Sequence, residues 1–158
     1  MSSLEDRLDV IETCTRVAWY VDQREWDALY GVFADKVLLD YTSLNGGEPS
    51  TVSTEEVIAA WSGLLGNLSS TQHLISNFLV DVRGDEAVCT AMFQAVHRLP
   101  NELGGPHWTL GGQYRWTLSR TASGWRISAM VMTARWSEGN RHIMTPEGQR
   151  TGAESAAD

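Results

Sequence analysis

The sequence predicts an α+β fold in which three N-terminal helices pack on a curved, mostly antiparallel sheet. Two observations support this class. In the first 65 residues, apolar side chains recur every three or four positions, as in helices that bury one face. After residue 70, long strand-like segments are separated by short turns rich in glycine and polar residues. Helices followed by a run of neighbouring strands are typical of α+β domains.

A single domain accounts for this pattern. The chain has 158 residues, an ordinary size for one domain, and it shows no internal repeat or domain boundary. We assign residues 1–145 to this domain. The remaining segment, 146–158, is small, polar and acidic in composition and is predicted to be disordered.

Three helices are expected before the main sheet. The first covers 4–21 or 4–22, and the second is a short one over Glu25–Phe33. Ser53 and Glu56 form a capping box, which predicts that the third helix begins there. A strand, Val37–Tyr41, lies between the second and third helices. The apolar stripe of the first helix is predicted to be Leu4, Leu8, Ile11, Thr15 and Ala18.

Four long strands are expected in the second half of the chain. Most of their connections are tight turns, so the strands form an antiparallel meander with the early strand at an edge. The segments 42–50 and 100–106 contain glycine and proline and are interpreted as loops. A curled sheet with helices on its concave side encloses a cone-shaped cavity. The four strands are Thr71–Val82, Ala87–Leu99, Trp108–Ser119 and Trp125–Trp136.

Charge and cysteine content argue against several classes of partner. A net charge of −8 disfavours nucleic acids and anionic membranes as partners. No apolar run is long enough to span a bilayer, and the acidic N-terminal segment does not resemble a signal peptide. Cys14 and Cys89 lie in apolar surroundings and are interpreted as free core thiols. Free thiols indicate a reducing, cytoplasmic setting.

Asp22 is the first candidate for a functional residue. It lies eighteen positions after Leu4, or five whole helical turns, so it falls on the predicted apolar stripe. A carboxylate removed from water is costly unless another group pairs with it. Asp22 is therefore either a solvated cap at the end of the first helix or an acid that points into the cavity toward a histidine.

His73 and His97 are the histidines that could pair with Asp22. His73 opens the strand after the third helix, and His97 shares a strand face with small or apolar residues. A single histidine on an apolar face is more often a core residue than a catalyst. An aspartate that fixes the tautomer of a histidine makes its imidazole a general base near neutral pH. Tyr41 either offers a phenol to a substrate oxygen or simply ends its strand.

Motifs for metal, cofactor and covalent chemistry are missing from the sequence. It contains no His-x-His, no His-Glu-x-x-His and no Cys-x-x-Cys. Its paired glycines lack the strand-to-helix context of a nucleotide-binding loop. A Gly-x-Ser-x-Gly elbow is also missing. We therefore expect no metal and no cofactor.

Short segments in a fixed order resemble the scytalone dehydratase and SnoaL-like branch of the NTF2-like superfamily. They are Val-Asp-Gln-Arg-Glu-Trp-Asp-Ala-Leu at 21–29, Leu-Asp-Tyr at 39–41, Thr-Gln-His-Leu-Ile at 71–75, Val-His at 96–97, Gly-Trp-Arg-Ile at 124–127 and Ala-Arg-Trp at 134–136. The resemblance extends over residues 5–140 and implies the α+β cone of that superfamily.

The resemblance also implies roles for four residues. In scytalone dehydratase an aspartate orients a histidine base, which removes a proton next to a carbonyl. Tyrosines polarise that carbonyl, and a second histidine helps the hydroxyl leave. By position, these roles fall on Asp22, His73, Tyr41 and His97. Val21 replaces the family's other tyrosine, and Gly112 and Tyr114 replace its serine and asparagine, so scytalone itself is not the expected substrate.

The residues and the resemblance together predict a cofactor-independent lyase or isomerase. Its substrate would be a small, largely apolar carbonyl or hydroxylated compound, as in dehydratases and polyketide cyclases of secondary metabolism. The alternative is a non-catalytic module that binds a small ligand or serves as an assembly subunit. The side chains predicted to contact the substrate are Tyr20, Trp26, Asn77, Phe93, Tyr114 and Met130.

The last strand predicts a homodimer or a homotrimer. Both of its faces are largely apolar over Trp125–Trp136, so both faces must be covered. The helices cover one face, and a second copy of the chain covers the other in this interpretation. Alternatively, the tail or the loop 100–106 folds over that face.

Overall fold

The computed structural model describes the backbone of residues 3–155 and the side chains of residues 3–150. The α-helices in this part of the chain are α1 (Leu4–Gln23), α2 (Thr42–Asn45), α3 (Thr54–Leu65) and α4 (Pro146–Ser155). Two 3₁₀ helices cover Trp26–Gly31 and Arg141–Met144. The strands are β1 (Phe33–Asp40), β2 (Ser50–Ser53), β3 (Ser70–Arg83), β4 (Glu86–Arg98), β5 (His107–Thr121) and β6 (Gly124–Gly139).

The six strands form one curved, open sheet in the order β2-β1-β6-β5-β4-β3. Neighbouring strands are antiparallel, except that β1 and β6 run parallel. The predicted α+β class and the four-strand meander are therefore confirmed. Before β3 the chain forms one helix more than the three predicted, because the predicted loop at 42–50 contains the single-turn helix α2.

The prediction that the early strand, β1, lies at the edge of the sheet is wrong, because β2 pairs with its outer side. In this pairing Lys36 lies opposite Ser53 and Leu39 opposite Ser50. β2 has only four residues and follows a stretch rich in glycine and polar residues. Its strand character comes from the partner strand, which a local sequence pattern does not reveal.

The buried face of α1 differs from the predicted stripe. Leu4 and Leu8 are 74% and 56% exposed. Two stripes of this helix repeat at intervals of three and four residues, and packing against the sheet selects the second of them. The buried residues are Val10, Thr13, Cys14, Val17 and Val21. Asp22 follows this face directly and lies at its margin, partly buried against β3.

Irregular pairing in four places, one of them between Phe33 and Leu38 along the β1–β6 pair, accompanies the curvature of the sheet. The register shifts between Ser76 and Leu79 in β3, and at two places along the β5–β6 pair. Such bulges bend a strand and increase its twist. The inward-facing side chains of β5 alternate along the strand and are all buried: Trp108, Leu110, Tyr114, Trp116 and Leu118.

The C-terminal segment is ordered into helix α4, which corrects the predicted disorder for 146–155. Thr145 Oγ1 accepts a hydrogen bond from the backbone N–H of Gly148 at 3.1 Å and so caps the helix. Gln149 Nε2 donates to the carbonyl oxygen of Leu64 at 2.9 Å, which docks α4 on the end of α3. Composition alone does not reveal a cap or a docking contact. Residues 156–158 of the predicted tail lie outside the described residues.

Within residues 3–155, no helix is long and apolar enough to cross a membrane.

Candidate active site

A cavity of about 800 Å³ lies between the concave face of the sheet and the helices. This volume falls in the range of pockets that bind drug-sized molecules. Its walls come from α1, α2 and α3, from the inner faces of β3, β4, β5 and β6, and from the segment 141–145. Most of the lining is apolar, and a few polar groups reach it from different elements.

Asp22 and His73 meet at this wall, as predicted. Asp22 Oδ1 lies 2.7 Å from His73 Nδ1, and Asp22 Oδ2 accepts the backbone N–H of His73 at 2.7 Å. Their side chains are only 14% and 13% exposed, respectively. Thr71 Oγ1 also donates to Asp22 Oδ1, at 2.8 Å. The end of α1 and the first residues of β3 are therefore joined through one carboxylate.

The carboxylate of Asp22 is ionised at neutral pH. Burial alone would raise its pKa, but hydrogen bonds and charge interaction with His73, together with the Thr71 hydroxyl, hold the pKa below its ordinary value. An ionised carboxylate only accepts hydrogen bonds, so His73 Nδ1 carries the proton of this contact. In the neutral imidazole, the other ring nitrogen, Nε2, has a lone pair. Because His73 lines the cavity, this lone pair is available to accept a proton.

His97 is the second imidazole of the site. It is 4% exposed on β4, and its ring centroid is 5.9 Å from that of His73 in an edge-to-face arrangement. His97 Nδ1 lies 3.2 Å from the carbonyl oxygen of Trp108, so this nitrogen donates. Burial and the neighbouring His73 lower the pKa of His97 to about 4. His97 is therefore neutral at pH 7, with Nε2 as an acceptor.

Two phenols complete the polar groups of the cavity. The hydroxyl of Tyr41 is 3.8 Å from the sulfur of Met130, a weak contact. Tyr114 stacks on Phe93 with ring centroids 4.3 Å apart. Burial raises the pKa of both phenols above the ordinary tyrosine value, so both remain protonated and act as donors.

The structure brings most of the predicted site residues together. The residues that line the cavity are Tyr41, His73, Phe93, His97, Tyr114 and Met130. Asp22 lies behind His73 and reaches the cavity through it.

Three predicted substrate contacts are wrong in position, because Tyr20, Trp26 and Asn77 are absent from the lining. Asn77 is exposed in the bulge of β3, with φ of 58°. Trp26 begins a 3₁₀ helix and lies beneath the guanidinium of Arg24, with 5.9 Å from the guanidinium carbon to the ring centroid. Tyr20 packs at the margin of the hydrophobic core.

Sequence reasoning missed several groups of the site. Thr71 lies two residues before His73 on the same strand, and the alternation of side chains along a strand could have indicated it. Arg24, which contacts Thr71, carries no comparable signal. Trp61, Arg141 and His142 also line the cavity, and they come from elements whose contacts are distant in sequence.

Among the described residues, no group of three or more histidine, cysteine, aspartate or glutamate side chains is arranged to hold a metal ion.

Comparison with known proteins extends over most of the chain. The family model of the SnoaL-like domain matches residues 2–131. The crystal structure of the Kfla4162 protein from Kribbella flavida is similar, with 33% sequence identity and a TM-score of 0.84. That match covers 89% of this chain and 97% of the Kribbella protein.

Two more distant structures share the fold. One is a Novosphingobium aromaticivorans protein provisionally named a scytalone dehydratase, with 20% identity, a TM-score of 0.75 and coverage of 87% and 89% of the two chains. The other is a provisionally named dehydratase of the NTF2-like family from Streptomyces avermitilis. It has 18% identity, a TM-score of 0.71, and coverage of 84% of this chain and 98% of that one. At these identities the likeness concerns the fold alone.

Proposed function

The chain belongs to the SnoaL-like domain family, as its motifs predicted, and from that premise we propose that it is a cofactor-independent lyase or isomerase. The observation that carries the proposal is the contact of 2.7 Å between His73 and Asp22 at the wall of a largely apolar cavity. A protein that only binds a small ligand or serves as an assembly subunit has no need to bury an ionised acid against an imidazole, because the burial is costly.

In the proposed reaction, His73 is the general base. Its Nε2 takes a proton from the carbon next to a substrate carbonyl, and Asp22 stabilises the imidazolium that forms. Tyr41 and Tyr114 are protonated donors in the same cavity, and we assign them to the carbonyl oxygen, where negative charge develops. General-base catalysis of this kind contributes roughly 10²–10⁴-fold to a rate.

The state of His97 supports one way of removing a hydroxyl group. Because His97 is neutral with Nδ1–H bonded to a carbonyl, its Nε2 accepts a hydrogen bond from the substrate hydroxyl and orients it. The His73 imidazolium then returns its proton to that hydroxyl. The C–O bond breaks, the carbon–carbon double bond forms, and water leaves. An isomerase would instead return the same proton to another carbon.

The lining supports a substrate class. Phe93, Trp108 and Trp116 offer flat apolar surfaces, and Met130 and Met132 adapt to irregular shapes. We therefore propose a flat or terpenoid-sized apolar molecule that carries a carbonyl and a hydroxyl group.

The proposal is tested by deuterium exchange with a panel of bicyclic β-hydroxy ketones in D₂O. Wild-type protein is expected to introduce deuterium at the carbon next to the carbonyl, as seen by NMR, and to raise the absorbance of an enone. His73→Ala should do neither, and His107→Ala is the matched control, because His107 is exposed at the start of β5.

Two results would contradict the proposal. Exchange that persists in His73→Ala would remove His73 as the base. Ligands that bind, as shown by shifts of the tryptophan or methyl resonances, without any exchange above the buffer rate would support the alternative of a non-catalytic binding module.

A further inference from the structure

His73 is not the only group that holds the carboxylate of Asp22. Thr71 Oγ1 is 2.8 Å from Asp22 Oδ1, and Arg24 Nη1 is 3.0 Å from Thr71 Oγ1. The Arg24 guanidinium also donates to the carbonyl oxygens of Val21 and Leu68, at 3.0 and 3.3 Å. A continuous chain of hydrogen bonds therefore runs from Arg24 through Thr71 and Asp22 to His73.

The direction of this chain is fixed by chemistry. A guanidinium only donates, an ionised carboxylate only accepts, and a hydroxyl has one proton to give. Thr71 therefore accepts from Arg24 and donates to Asp22. Oδ1 of Asp22 receives the hydroxyl and His73 Nδ1–H, and Oδ2 receives the backbone N–H of His73. The carboxylate cannot rotate without breaking one of these bonds.

The backbone of Arg24 indicates that its side chain matters. Arg24 ends α1 in the left-handed conformation, with φ of 62°, and its N–H bonds to the carbonyl oxygens of Tyr20 and Val21. This position in a helix terminus is usually glycine or asparagine, because other residues are strained there. Arg24 therefore occupies a strained site from which its guanidinium spans the helix end and the start of β3.

We propose that Thr71 and Arg24 are positioning residues that orient the Asp22 carboxylate and, through it, the ring of His73. The inference rests on the proposed function, in which His73 is the base. Thr71 orients the carboxylate directly, and Arg24 orients the hydroxyl of Thr71. Neither residue touches the substrate, since neither lines the cavity.

The orientation is measured without a substrate, by NMR of protein labelled with [¹⁵N]histidine and assigned with a His73→Gln variant. In the wild type, His73 is expected to show one tautomer, with the proton on Nδ1. Thr71→Val keeps the shape but lacks the hydroxyl, so the His73 signals should move toward a mixture of both tautomers. Thr71→Ser should restore the single tautomer.

Thr13→Val is the matched control. Thr13 is a buried threonine whose hydroxyl donates to the carbonyl oxygen of Asp9 at 2.7 Å, away from the cavity. The Thr13→Val variant loses a hydrogen bond comparable to the one lost in Thr71→Val, and it should leave the His73 tautomer unchanged. If Thr71→Val does not fold, Arg24→Met breaks the chain at its other end, and a partial shift toward the same mixture is expected. A tautomer that is unchanged in the folded Thr71 or Arg24 variant overturns the inference.

With a substrate from the exchange experiment, the kinetic effect should lie in kcat. Thr71→Val is expected to lower kcat by about 10–100-fold, the range for losing a hydrogen bond to a charged group. KM should stay within about twofold, because a positioning residue does not contribute to uniform binding of the substrate. A change in KM with unchanged kcat would overturn the inference. A tautomer shift in a protein without any turnover would uphold the positioning role and refute the proposed enzyme.

Discussion

At the scale of single residues, the proposed function depends on one carboxylate whose surroundings keep it ionised. The sequence indicates Asp22 because it falls on the predicted apolar stripe at the end of the first helix. The predicted stripe is not the buried one, yet Asp22 directly follows the buried Val21 and is itself partly buried. The contact with His73 depended on the family motif as well, since helix periodicity alone does not say which strand faces Asp22.

Asp22→Asn tests that carboxylate. The asparagine keeps the volume of the side chain but cannot stabilise an imidazolium, so we expect the protein to fold and to lose roughly 10²–10⁴-fold in turnover. Solvent-deuterium exchange at pH 7 measures the loss, and the melting temperature checks the fold. Asp27→Asn is the control, because Asp27 is exposed in the 3₁₀ helix that follows α1. Unchanged exchange in Asp22→Asn would refute the catalytic dyad.

The pKa of His97 leads to a second prediction, on how the stability of the fold changes with pH. Its pKa is lowered in the fold from the ordinary value of 6.5 to about 4, so the folded state favours the neutral imidazole. The unfolded chain therefore binds the proton first as pH falls. The stabilisation from the neutral imidazole is fully present above about pH 6.5 and is lost as the pH decreases toward 4. Linkage gives a loss of about 2 kcal/mol between pH 7 and pH 5 from this residue.

Urea unfolding at pH 7 and pH 5 measures that loss. His97→Gln should show a smaller difference between the two pH values than the wild type. His107→Gln, which changes an exposed histidine, should keep the wild-type difference. Equal differences in all three proteins would mean that the fold does not lower the pKa of His97.

At the scale of elements, the long segments were predictable and the short ones were not. α1, α3 and β3–β6 carry strong periodicity or a capping box, and their bounds differ from the predictions by a few residues. β2 and α4 are defined by partners far away in sequence, namely β1 and the end of α3. The same limit explains why Arg141 and His142 were missed as cavity residues.

Replacing Gly112 tests the pairing of two strands, because Gly112 lies at a register shift between β5 and β6. A Cβ at this position would clash with the backbone carbonyl of Thr133. Gly112→Ala should therefore destabilise the protein by about 1–3 kcal/mol, the range for overpacking a core. Thermal unfolding should show a decrease of a few degrees in Tm, about 2–4 °C for each kcal/mol.

Gly63→Ala is the matched control for Gly112→Ala. Gly63 lies inside α3, and a Cβ there meets nothing within 4 Å. Alanine in a helix interior is favoured over glycine by about 0.5–1 kcal/mol, so this variant should melt at a higher temperature. If Gly112→Ala were as stable as the wild type, the strand pairing at the shift would have to be looser than described.

At the scale of the whole molecule, the outer face of the sheet is uncovered by the described chain and carries exposed apolar side chains among polar ones such as Gln94 and Arg115. Leu74, Met92 and Trp136 are 56%, 45% and 46% exposed there. The irregular pairing near Arg135 turns Trp136 to the outer face, opposite Gly111, whereas Met130 and Met132 face the cavity. Single exposed apolar residues are ordinary, but several on neighbouring strands mark an interface.

The other candidates for covering this face are engaged elsewhere. α4 docks on the end of α3, and the loop 100–106 is held by Asn140, which donates to the carbonyl oxygens of Leu103 and Gly105. We therefore retain the prediction of a homodimer or homotrimer that covers the outer face with a second copy of the chain.

Val131→Glu tests this prediction. Val131 is partly exposed on β6 and lies opposite Arg115 and Asp40, while its neighbour Met132 lines the cavity. A charge there should dissociate the oligomer, because a carboxylate removed from water on association is costly even beside an arginine such as Arg115. Light scattering should show that the wild-type protein has a mass above that of the monomer, 17.5 kDa. The variant should have the monomer mass. Ala59→Glu, on the exposed side of α3, should remain oligomeric. Wild-type protein at the monomer mass over a range of concentrations would refute the oligomer, and a dissociated variant that still exchanges deuterium would show that each cavity is complete within one chain.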